Sequence, residues 1–401
     1  MLNISAHPIW KNINPIKRQA HKLRIFLSRN YASLYPRSMF IGISGSVGKT
    51  TTTIACKTVL SEKMNVIATT DTLKKTINLD PIFNLPMTIL RIKPGVKKVI
   101  LEMGIEYPGE MELWLTFVKP ATAIITRIFY AHSEYLGGLE QIALEKGKLV
   151  EQLPKEGLAI LNWDDPIARK LADKTKAKVI YFGTDKDNCH IWADKIKISN
   201  FQTQFEINYG VERVEIRSKL LGVHQVYPLL AAAALGICNG IPLVRVKIGL
   251  EKIPSPQHRM EVLEGFNGSV ILDDTYNGAP IAIEEAIETL NYLPARRRIV
   301  VLGEMRELGI YSEKLHRQIA QKIYKDKVDL VFLGTGDTKF IYEELINLGF
   351  NPDRIQTDLQ NPQLVNKLLK VLAKGDLVLV KGARAVRLDE VVKRITKLKK
   401  N

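Results

Sequence analysis

A glycine-rich segment at residues 41–53, IGISGSVGKTTTT, carries the residue types that hold phosphate groups. The apolar run at residues 39–43 predicts a short buried strand, and a helix is predicted to begin with Lys49 and Thr50 in its first turn. Glycines let the backbone turn so that successive N–H groups and the positive end of the helix dipole face one anion. Lys49 would then reach the terminal phosphates, and the Thr50 hydroxyl would join a Mg²⁺ shell. The candidate nucleotide-binding residues of this segment are Gly45, Ser46, Gly48, Lys49, Thr50 and Thr51.

The spacing of this segment differs from the usual P-loop, because Ile43 rather than glycine stands five residues before Gly48. An alternative interpretation is a glycine-rich turn between a strand and a helix that binds nothing. Gly-Lys-Thr opening a helix directly after a strand is, however, the context that the motif requires. We therefore predict a phosphate-binding loop.

Three further polar residues follow predicted strands of the same half of the chain. Glu102 ends the strand in VILEMG, His132 follows TAIITRI, and Lys146 lies on a helix that begins near Gly138. In a parallel sheet the ligand crevice lies at the carboxyl ends of the strands, so a carboxylate there could hold Mg²⁺. Each residue alone is more typical of a surface or structural role. Together with the phosphate loop they favour a metal–nucleotide site.

The second half of the chain contributes its own charged groups. Arg259 follows a proline-containing linker in HRMEV, and the segment LDDTYNGAP comes at the end of a predicted strand. Cations carried on a separate domain can clamp a phosphoryl group when a cleft closes, although any one of them could be surface charge. The candidate residues of this half are Arg259, Asp273, Asp274, Tyr276, Asn277, Lys381 and Arg384.

Strand and helix patterns alternate through most of the 401 residues. They predict an α/β protein with a central P-loop ATPase-type parallel-sheet domain and a Rossmann-like C-terminal α/β domain. Two-residue alternation at residues 190–218 indicates an antiparallel addition to the first sheet. We predict a basic helical extension at residues 1–38, a central domain at 39–253 and a C-terminal domain at 254–401.

The first 37 residues hold seven Lys or Arg, and no Asp or Glu occurs before Glu62. Apolar residues recur there at helical spacing and predict one amphipathic helix. We expect this apolar stripe to pack on the next domain; the alternative is an interfacial helix that touches anionic lipid. The stripe consists of Ile16, Ala20, Leu23, Leu27, Tyr31 and Leu34.

Composition narrows the function classes. The net charge of +16 could suggest nucleic acid, but no recognition motif or interleaved aromatic residues accompany it, and anionic substrates explain it as well. No apolar run is long enough to span a bilayer, and no signal segment is evident, so we expect a cytoplasmic protein. Cys56, Cys189 and Cys238 are odd in number and scattered, which predicts reduced thiols. We expect a monomer.

In order and spacing, the motifs resemble those of the Mur ligase family, from about Met39 to Ile395. They read SGSVGKTTT, LEMGIEYPGEM, ITRIFYAHSEYLGGLEQIALEKGKL, LNWDDP, HRMEVLEGFNGSVILDDTYNGAP, VLGEMRELGIYSEKLHRQIA and LVKGARAVRLDEVV. The resemblance implies an ATP-dependent amide-bond ligase of cell-wall precursor synthesis. In such an enzyme ATP phosphorylates a peptide carboxylate, and an amine such as D-alanyl-D-alanine attacks the acyl phosphate.

The resemblance also implies residue roles. Lys49 would cradle the β- and γ-phosphates, Thr50 and Glu102 would hold one Mg²⁺, and His132 would help to hold a second. Lys146 falls where the family has a lysine that CO₂ converts into a carbamate. Arg259 would contact the γ-phosphate and Asp273 the ribose side of the nucleotide, while Tyr276, Asn277, Lys381 and Arg384 would face the substrate.

Several positions depart from the family pattern. The usual His-Asn-x-x-Asn helix start appears as His224, Gln225, Val226, Tyr227 and Pro228, so His224 remains a candidate for adenine while Pro228 offers no amide. Glu106 and Arg127 stand where the family usually has asparagines near the metals. Ala383 and Ala385 stand where it usually has a serine and a glycine.

Only 38 residues precede the central domain, where the family usually has a domain that grips a UDP-sugar. Two alternatives therefore stay open: a ligase for a lipid-linked, free-peptide or folate-like acceptor, and a catalytically silent nucleotide-binding scaffold.

Overall fold

The computed structural model describes residues 7–72 and 80–397. Within them the first sheet has nine strands in the order β2-β3-β1-β4-β5-β6-β7-β8-β9. Pairing is parallel from β2 to β7, and β8 and β9 add antiparallel strands, as the alternation at residues 190–218 predicts. The strands are β1 (Phe40–Ser44), β2 (Val66–Ala68), β3 (Lys98–Glu102), β4 (Thr122–Ile125), β5 (Leu158–Asn162), β6 (Lys178–Gly183), β7 (Ile191–Ser199), β8 (Gln202–Tyr209) and β9 (Glu212–Ser218).

Helices cover both faces of this sheet, because the strands are buried and apolar on both sides. Four helices pack on one face through residues such as Ile25, Leu85, Trp114 and Leu149. These are α1 (Pro15–Ala32), α3 (Pro81–Ile89), α4 (Glu110–Phe117) and α6 (Leu139–Glu151). The other face carries α2 (Lys49–Leu60), α8 (Val226–Cys238) and α9 (Leu243–Glu251), while α5 (Ser133–Leu136) and α7 (Pro166–Lys170) are short connecting helices.

The second sheet has six strands among the described residues, in the order β10-β11-β15-β12-β13-β14. Only β10 pairs antiparallel. The strands are β10 (Glu261–Glu264), β11 (Val270–Asp274), β12 (Arg297–Leu302), β13 (Leu330–Leu333), β14 (Ile355–Gln356) and β15 (Asp376–Lys381). The helices are α10 (Pro280–Leu290), α11 (Ser312–Lys325), α12 (Lys339–Asn347), α13 (Asn361–Val371) and α14 (Asp389–Ile395).

The predicted α/β class is therefore confirmed. The strands of the two sheets fall at residues 40–218 and 261–381, and the domain boundaries at 38/39 and 253/254 stay predictions. Cys56, Cys189 and Cys238 are free thiols, as expected. Among the described helices, none combines the length and the apolarity that a bilayer crossing requires.

The segment before β1 is tied to the rest of the first domain by a buried ion-pairing contact. His7 and Glu110 are 2% and 3% exposed, and His7 Nε2 lies 2.6 Å from Glu110 Oε1. The second oxygen of Glu110 accepts the backbone N–H groups of Glu106 and Tyr107. Glu110 thus joins the N-terminal segment to the loop after β3.

We predict that Glu110→Ala destabilises the protein by about 3 kcal/mol, because it leaves a buried histidine and two backbone N–H groups without their acceptor. Chemical or thermal unfolding measures this loss. Glu156→Ala, on an exposed turn, is the control and should change stability by less than about 0.5 kcal/mol. Equal effects of the two changes would contradict the role of Glu110.

Candidate active site

The glycine-rich loop lies at the centre of the first sheet. Strand β1 runs between β3 and β4, so the chain reverses its order across the sheet at this point. Ile43 is paired in register with Glu102, and Ser44 with Ile125. The carboxyl ends of three neighbouring strands therefore meet beside the loop, which is where parallel sheets bind ligands.

Gly45 and Gly48 have backbone conformations that favour glycine. Their φ angles are +146° and +80°. A Cβ atom at Gly45 would lie 2.0 Å from Thr126 Oγ1, so a side chain would displace the neighbouring loop. Gly48 immediately precedes α2, whose first residues are Lys49 and Thr50.

Ser46 ties this loop to the segment after β4. Its backbone N–H donates to the carbonyl of Arg127 at 2.6 Å, and its hydroxyl donates to the carbonyl of Phe129 at 2.7 Å. The same hydroxyl oxygen accepts the N–H of Phe129 at 2.9 Å. Among the predicted nucleotide-binding residues, Ser46 is thus engaged in holding the loop itself.

Lys49 curls over the loop that precedes it. Its ammonium group donates to the carbonyls of Gly45 and Ser46 at 3.0 and 3.2 Å. Burial lowers the pKa of Lys49, and the charge of Glu102 acts against that shift. The amine therefore lies at the loop in a poorly solvated position, where a nearby anionic group would stabilise its charged form.

Thr50 and Glu102 come together as a candidate cation site. The Thr50 hydroxyl donates to Glu102 Oε1 at 3.0 Å. Glu102 Oε2 is buried, and no hydrogen-bond donor of the described ranges 7–72 and 80–397 reaches it. A buried carboxylate oxygen without a donor is costly, whereas a carboxylate beside a hydroxyl is a ligand set that Mg²⁺ accepts.

Arg259 brings the second domain to this pair. Its Nη2 donates to Thr50 Oγ1 at 3.1 Å, and its guanidinium carbon lies 3.9 Å from the centre of the Tyr276 ring. The residues on either side, His258 and Met260, have φ angles of +60° and +53°. Such strained backbone persists only where the surrounding structure holds it, and here it places Arg259 at the loop.

Lys146 is a buried cation next to Lys49. It is 1% exposed, and no carboxylate of the described residues forms an ion pair with it. Burial lowers its pKa well below the usual range, and the charge of Lys49 lowers it further; Glu110 and Glu145 act in the opposite direction. An amine in this environment is held towards its neutral, nucleophilic form.

His132 lies at the interface of the two domains. Its Nδ1 is 2.5 Å from Glu307 Oε2, and this hydrogen bond lowers the pKa of Glu307. Glu106 connects this pair electrostatically with the glycine-rich loop: burial raises its pKa, and the charges of His132 and Lys49 oppose the increase. His132, Glu106 and Lys49 therefore belong to one charged neighbourhood.

A cleft with about 790 Å³ of empty space, including its open mouth, extends from the loop between the domains. In the wall of this cleft an ion pair joins Arg127 of the first domain to Glu285 of α10. Tyr227 donates its hydroxyl to Asp164 at 3.0 Å. The cleft is lined by Val47, Gly48, Thr51, Thr126, Arg127, Asn162, His224, Gln225, Tyr227, Pro228, Arg259, Asp274, Tyr276, Asn277, Ala282, Glu285 and Lys381.

The remaining predicted residues of the second domain occupy different positions. Asp273 is 1% exposed and accepts from Thr275, and its Oδ2 lies 2.7 Å from His258 Nδ1. Asp274, rather than Asp273, lines the cleft, where it forms an ion pair with the buried Lys381. Arg384 is half exposed, with its Nη1 3.8 Å from Asp389.

Sequence reasoning singled out neither Glu307 nor Glu285. Glu307 lies in the motif VLGEMREL, and its loop is fixed by His316, which accepts the N–H of Met305 at 3.2 Å. Its position in a family motif was therefore the available signal. Glu285 lies on a regular helix and has no such signal, because its contact with Arg127 depends on how the two parts of the chain pack together.

The fold and the site define an α/β protein in which a glycine-rich loop lies at the carboxyl ends of parallel strands and a residue of the second sheet's part of the chain contacts the helix after that loop. The Mur ligase middle domain model matches residues 43–236, and the Mur ligase glutamate ligase domain model matches residues 258–384. The chain belongs to the Mur ligase family, whose members are ATP-dependent, ADP-forming ligases. The family resemblance of the motifs is thereby confirmed.

Individual relatives agree with this assignment. The chain is 31% identical over 354 residues to UDP-N-acetylmuramoyl-tripeptide–D-alanyl-D-alanine ligase of Bacillus subtilis, covering 88% of this chain and 75% of that protein. The Escherichia coli protein of the same name is 27% identical over 363 residues, with 88% and 76% covered.

Two crystal structures share the fold. MurF from Acinetobacter baumannii superimposes with a TM-score of 0.82 at 21% identity, covering 93% of this chain and 80% of that one. MurF from Thermotoga maritima in complex with ADP gives 0.81 at 23% identity, with 94% and 83% covered.

We predict that Gly45→Ala costs at least about 3 kcal/mol of unfolding free energy, because the new methyl group meets Thr126 and the positive φ is strained. Gly95→Ala is a matched control, since Gly95 also has a positive φ of +90° but has no atom within 4 Å of an added Cβ. The control should cost about 1 kcal/mol. Equal losses in an unfolding titration would show that the close approach at Gly45 is unimportant.

Proposed function

We propose that this protein is an ATP-dependent peptide ligase of peptidoglycan precursor synthesis that joins D-alanyl-D-alanine to a peptide carboxylate. The observation that carries the proposal is the contact of Arg259 with Thr50. This contact brings the guanidinium group of Arg259, from the second domain, to the hydroxyl of Thr50 in the first turn of the helix after the glycine-rich loop. Relatives that carry the name of this ligase support the substrate assignment.

The residues of the loop fit ATP and Mg²⁺. The unpartnered Oε2 of Glu102 and the Thr50 hydroxyl would hold one Mg²⁺, and His132 would help to hold a second, after exchanging its contact with Glu307. Bound Mg²⁺ supplies neutralisation of the phosphate charge. The base of the nucleotide would lie against His224, Gln225 and Pro228, in the part of the cleft that also holds Arg127 and Glu285.

The reaction overcomes the inertness of a carboxylate. The γ-phosphoryl group moves from ATP to a carboxylate oxygen, the bond between that phosphorus and the bridging oxygen breaks, and ADP is left. The amine nitrogen then attacks the acyl carbon, the bond to the phosphate oxygen breaks, and the amine proton is lost. Lys49 and Arg259 serve to position and neutralise the transferred group from two sides.

The substrate side of the cleft belongs to the second domain. Lys381 and Asp274 form a buried ion pair there, and Tyr276 and Asn277 line the same wall. A charged pair of this kind can bind an amine through the carboxylate and a carboxylate through the ammonium group, so it suits a zwitterionic dipeptide. Arg384, which is half exposed, would attract the incoming carboxylate from outside the cleft.

Lys49→Ala should lower acceptor-dependent phosphate release roughly a thousandfold, because an enzyme that depends on positioned charge loses that charge. The assay contains ATP, Mg²⁺ and D-alanyl-D-alanine, and its arms use UDP-linked, lipid-linked and free tripeptide acceptors. Lys155→Ala, on an exposed turn, is the control and should keep full activity. Nucleotide binding without acceptor-dependent turnover in any arm would contradict the proposal and indicate a silent scaffold.

Lys146→Met should lower activity at least about a hundredfold. It should also raise the stability at neutral pH, since it removes a buried amine that has no ion-pair partner among the described residues. Because the folded protein binds this proton less tightly than the unfolded chain, Lys146 destabilises the protein increasingly as pH falls from about 10. The stability advantage of Lys146→Met should therefore vanish at high pH, measured by unfolding in CO₂-free buffer.

Lys148→Met is the control for this change, because Lys148 lies on the same helix but pairs with Glu112 and Glu145. It should leave activity unchanged. If Lys146 acts as a carbamate, short carboxylic acids should restore part of the activity of Lys146→Ala. Full activity of Lys146→Met would refute a catalytic role for this residue.

A further inference from the structure

Helix α1 has two stripes on different faces. One consists of His21, Ile25, Ser28 and Ala32, which repeat at helical spacing and contact the first domain. The rings of His21 and Phe83 lie 4.5 Å apart, and the neighbouring Tyr31 donates its hydroxyl to the carbonyl of Ile92 at 2.9 Å. This stripe fixes the orientation of α1 on the domain.

The other stripe is apolar and points away from the domain. Ile16, Leu23 and Leu27 repeat at the same spacing but start five residues earlier, which turns them roughly 140° from the buried stripe. They are 81%, 58% and 48% exposed, and Phe26 beside them and Leu34 after the helix are 62% and 74% exposed. The expectation that the predicted stripe packs on the central domain therefore holds for Tyr31 and is wrong for its other members, which are Ile16, Ala20, Leu23, Leu27 and Leu34.

Basic residues border the exposed stripe on both sides. Lys17 and Arg24 follow one edge, seven residues apart, and Lys22 and Arg29 follow the other with the same separation. No acidic residue lies in α1 or anywhere before Glu62. An apolar stripe between two rows of cations is the arrangement of a helix that lies in the surface of an anionic bilayer.

We infer that α1 docks the protein on anionic lipid membranes. The helix lies parallel to the surface, with Ile16, Leu23, Phe26 and Leu27 among the acyl chains and the flanking cations at the phosphates. Because the buried stripe holds α1 to the folded domain, the helix is presented in one orientation and needs no folding on contact. This inference does not depend on the proposed ligase activity.

Charge favours a membrane over a second copy of the chain. A symmetric dimer through this stripe would bring Lys17, Arg24 and Arg29 close to the same residues of the partner, with no carboxylate on the helix to balance them. A nucleic acid would use the cations but would leave the apolar side chains exposed. Only an anionic lipid surface matches both features.

The test measures flotation of the full chain with vesicles of phosphatidylcholine alone or mixed with phosphatidylglycerol. We expect binding to the mixed vesicles, weaker binding at high salt, and little binding to phosphatidylcholine alone. Leu23→Glu combined with Leu27→Glu should lower the bound fraction at least about tenfold. Lys17→Gln combined with Arg29→Gln, which removes two exposed cations, should lower it in the mixed vesicles without altering the apolar stripe.

Val211→Glu is the matched control, since Val211 is 97% exposed on a turn of the first domain far from α1 in sequence. It should bind vesicles like the natural protein. Unfolding curves and ATP turnover with a soluble acceptor should be unchanged in all variants. Absence of binding to the mixed vesicles, equal binding of the glutamate variant and the control, or a dimer that Leu23→Glu and Leu27→Glu dissolve would each overturn the inference.

Discussion

The arrangement of the site depends on the two hydrogen bonds that the hydroxyl group of Thr50 forms. It donates its single proton to Glu102 and accepts from Arg259, so one oxygen joins the first domain to the second. The direction of both hydrogen bonds is fixed, because the carboxylate of Glu102 can only accept and the guanidinium of Arg259 can only donate. A change in the separation of the domains must therefore alter the environment of the helix that carries Lys49. Under the proposed function, the contact between the two domains would therefore also complete the phosphate site.

Electrostatics explain why this site is suited to a polyanion. Lys49, Lys146 and Arg259 lie in one neighbourhood, and burial lowers the pKa of both lysines. Within the described residues, Glu102 is the carboxylate whose charge most directly opposes the shift at Lys49. Placing three basic groups in such a poorly solvated neighbourhood opposes folding, and the apolar cores of the two domains must offset that cost. Under the proposed function, a triphosphate with its metal ion would relieve that cost, so the residues that destabilise the free protein would be those that favour the ligand.

The sequence allowed much of this site to be predicted, for physical reasons. Glycines with a following lysine and threonine mark the loop, and parallel pairing brings Glu102 to it because successive strands end at one edge. Contacts between the domains were harder to predict from the sequence, since Arg127 and Glu285 are 158 positions apart and neither lies in a pattern that identifies its partner. The face of α1 was also mispredicted. Its apolar spacing suggested burial, whereas the stripe that packs contains His21 and Ser28.

Ser28 is buried and His21 is half-buried, and local contacts compensate for the polarity of both side chains. Ser28 donates its hydroxyl to the carbonyl of Ile25 at 2.8 Å, and His21 lies against Phe83. The hydropathy of the sequence does not reveal such compensation, since the compensation depends on which residues are neighbours in space. The choice of buried face leaves the more apolar stripe in contact with solvent, which is unfavourable for an isolated molecule. Exposing this apolar stripe becomes favourable only when a membrane or a partner covers it.

The N-terminal segment is also continuous with the site. His7 contacts Glu110, whose other oxygen holds the loop of Glu106, and Glu106 shares the electrostatic neighbourhood of Lys49 and His132. The contacts of Glu110 are direct and the influence of Lys49 and His132 on Glu106 is electrostatic, so the N-terminal segment, the loop after β3 and the glycine-rich loop are linked. A surface that holds α1 would therefore set the direction in which the cleft opens and leave the distances within it unchanged. Such recruitment changes how often an acceptor at that surface meets the site, and the barrier to phosphoryl transfer stays the same.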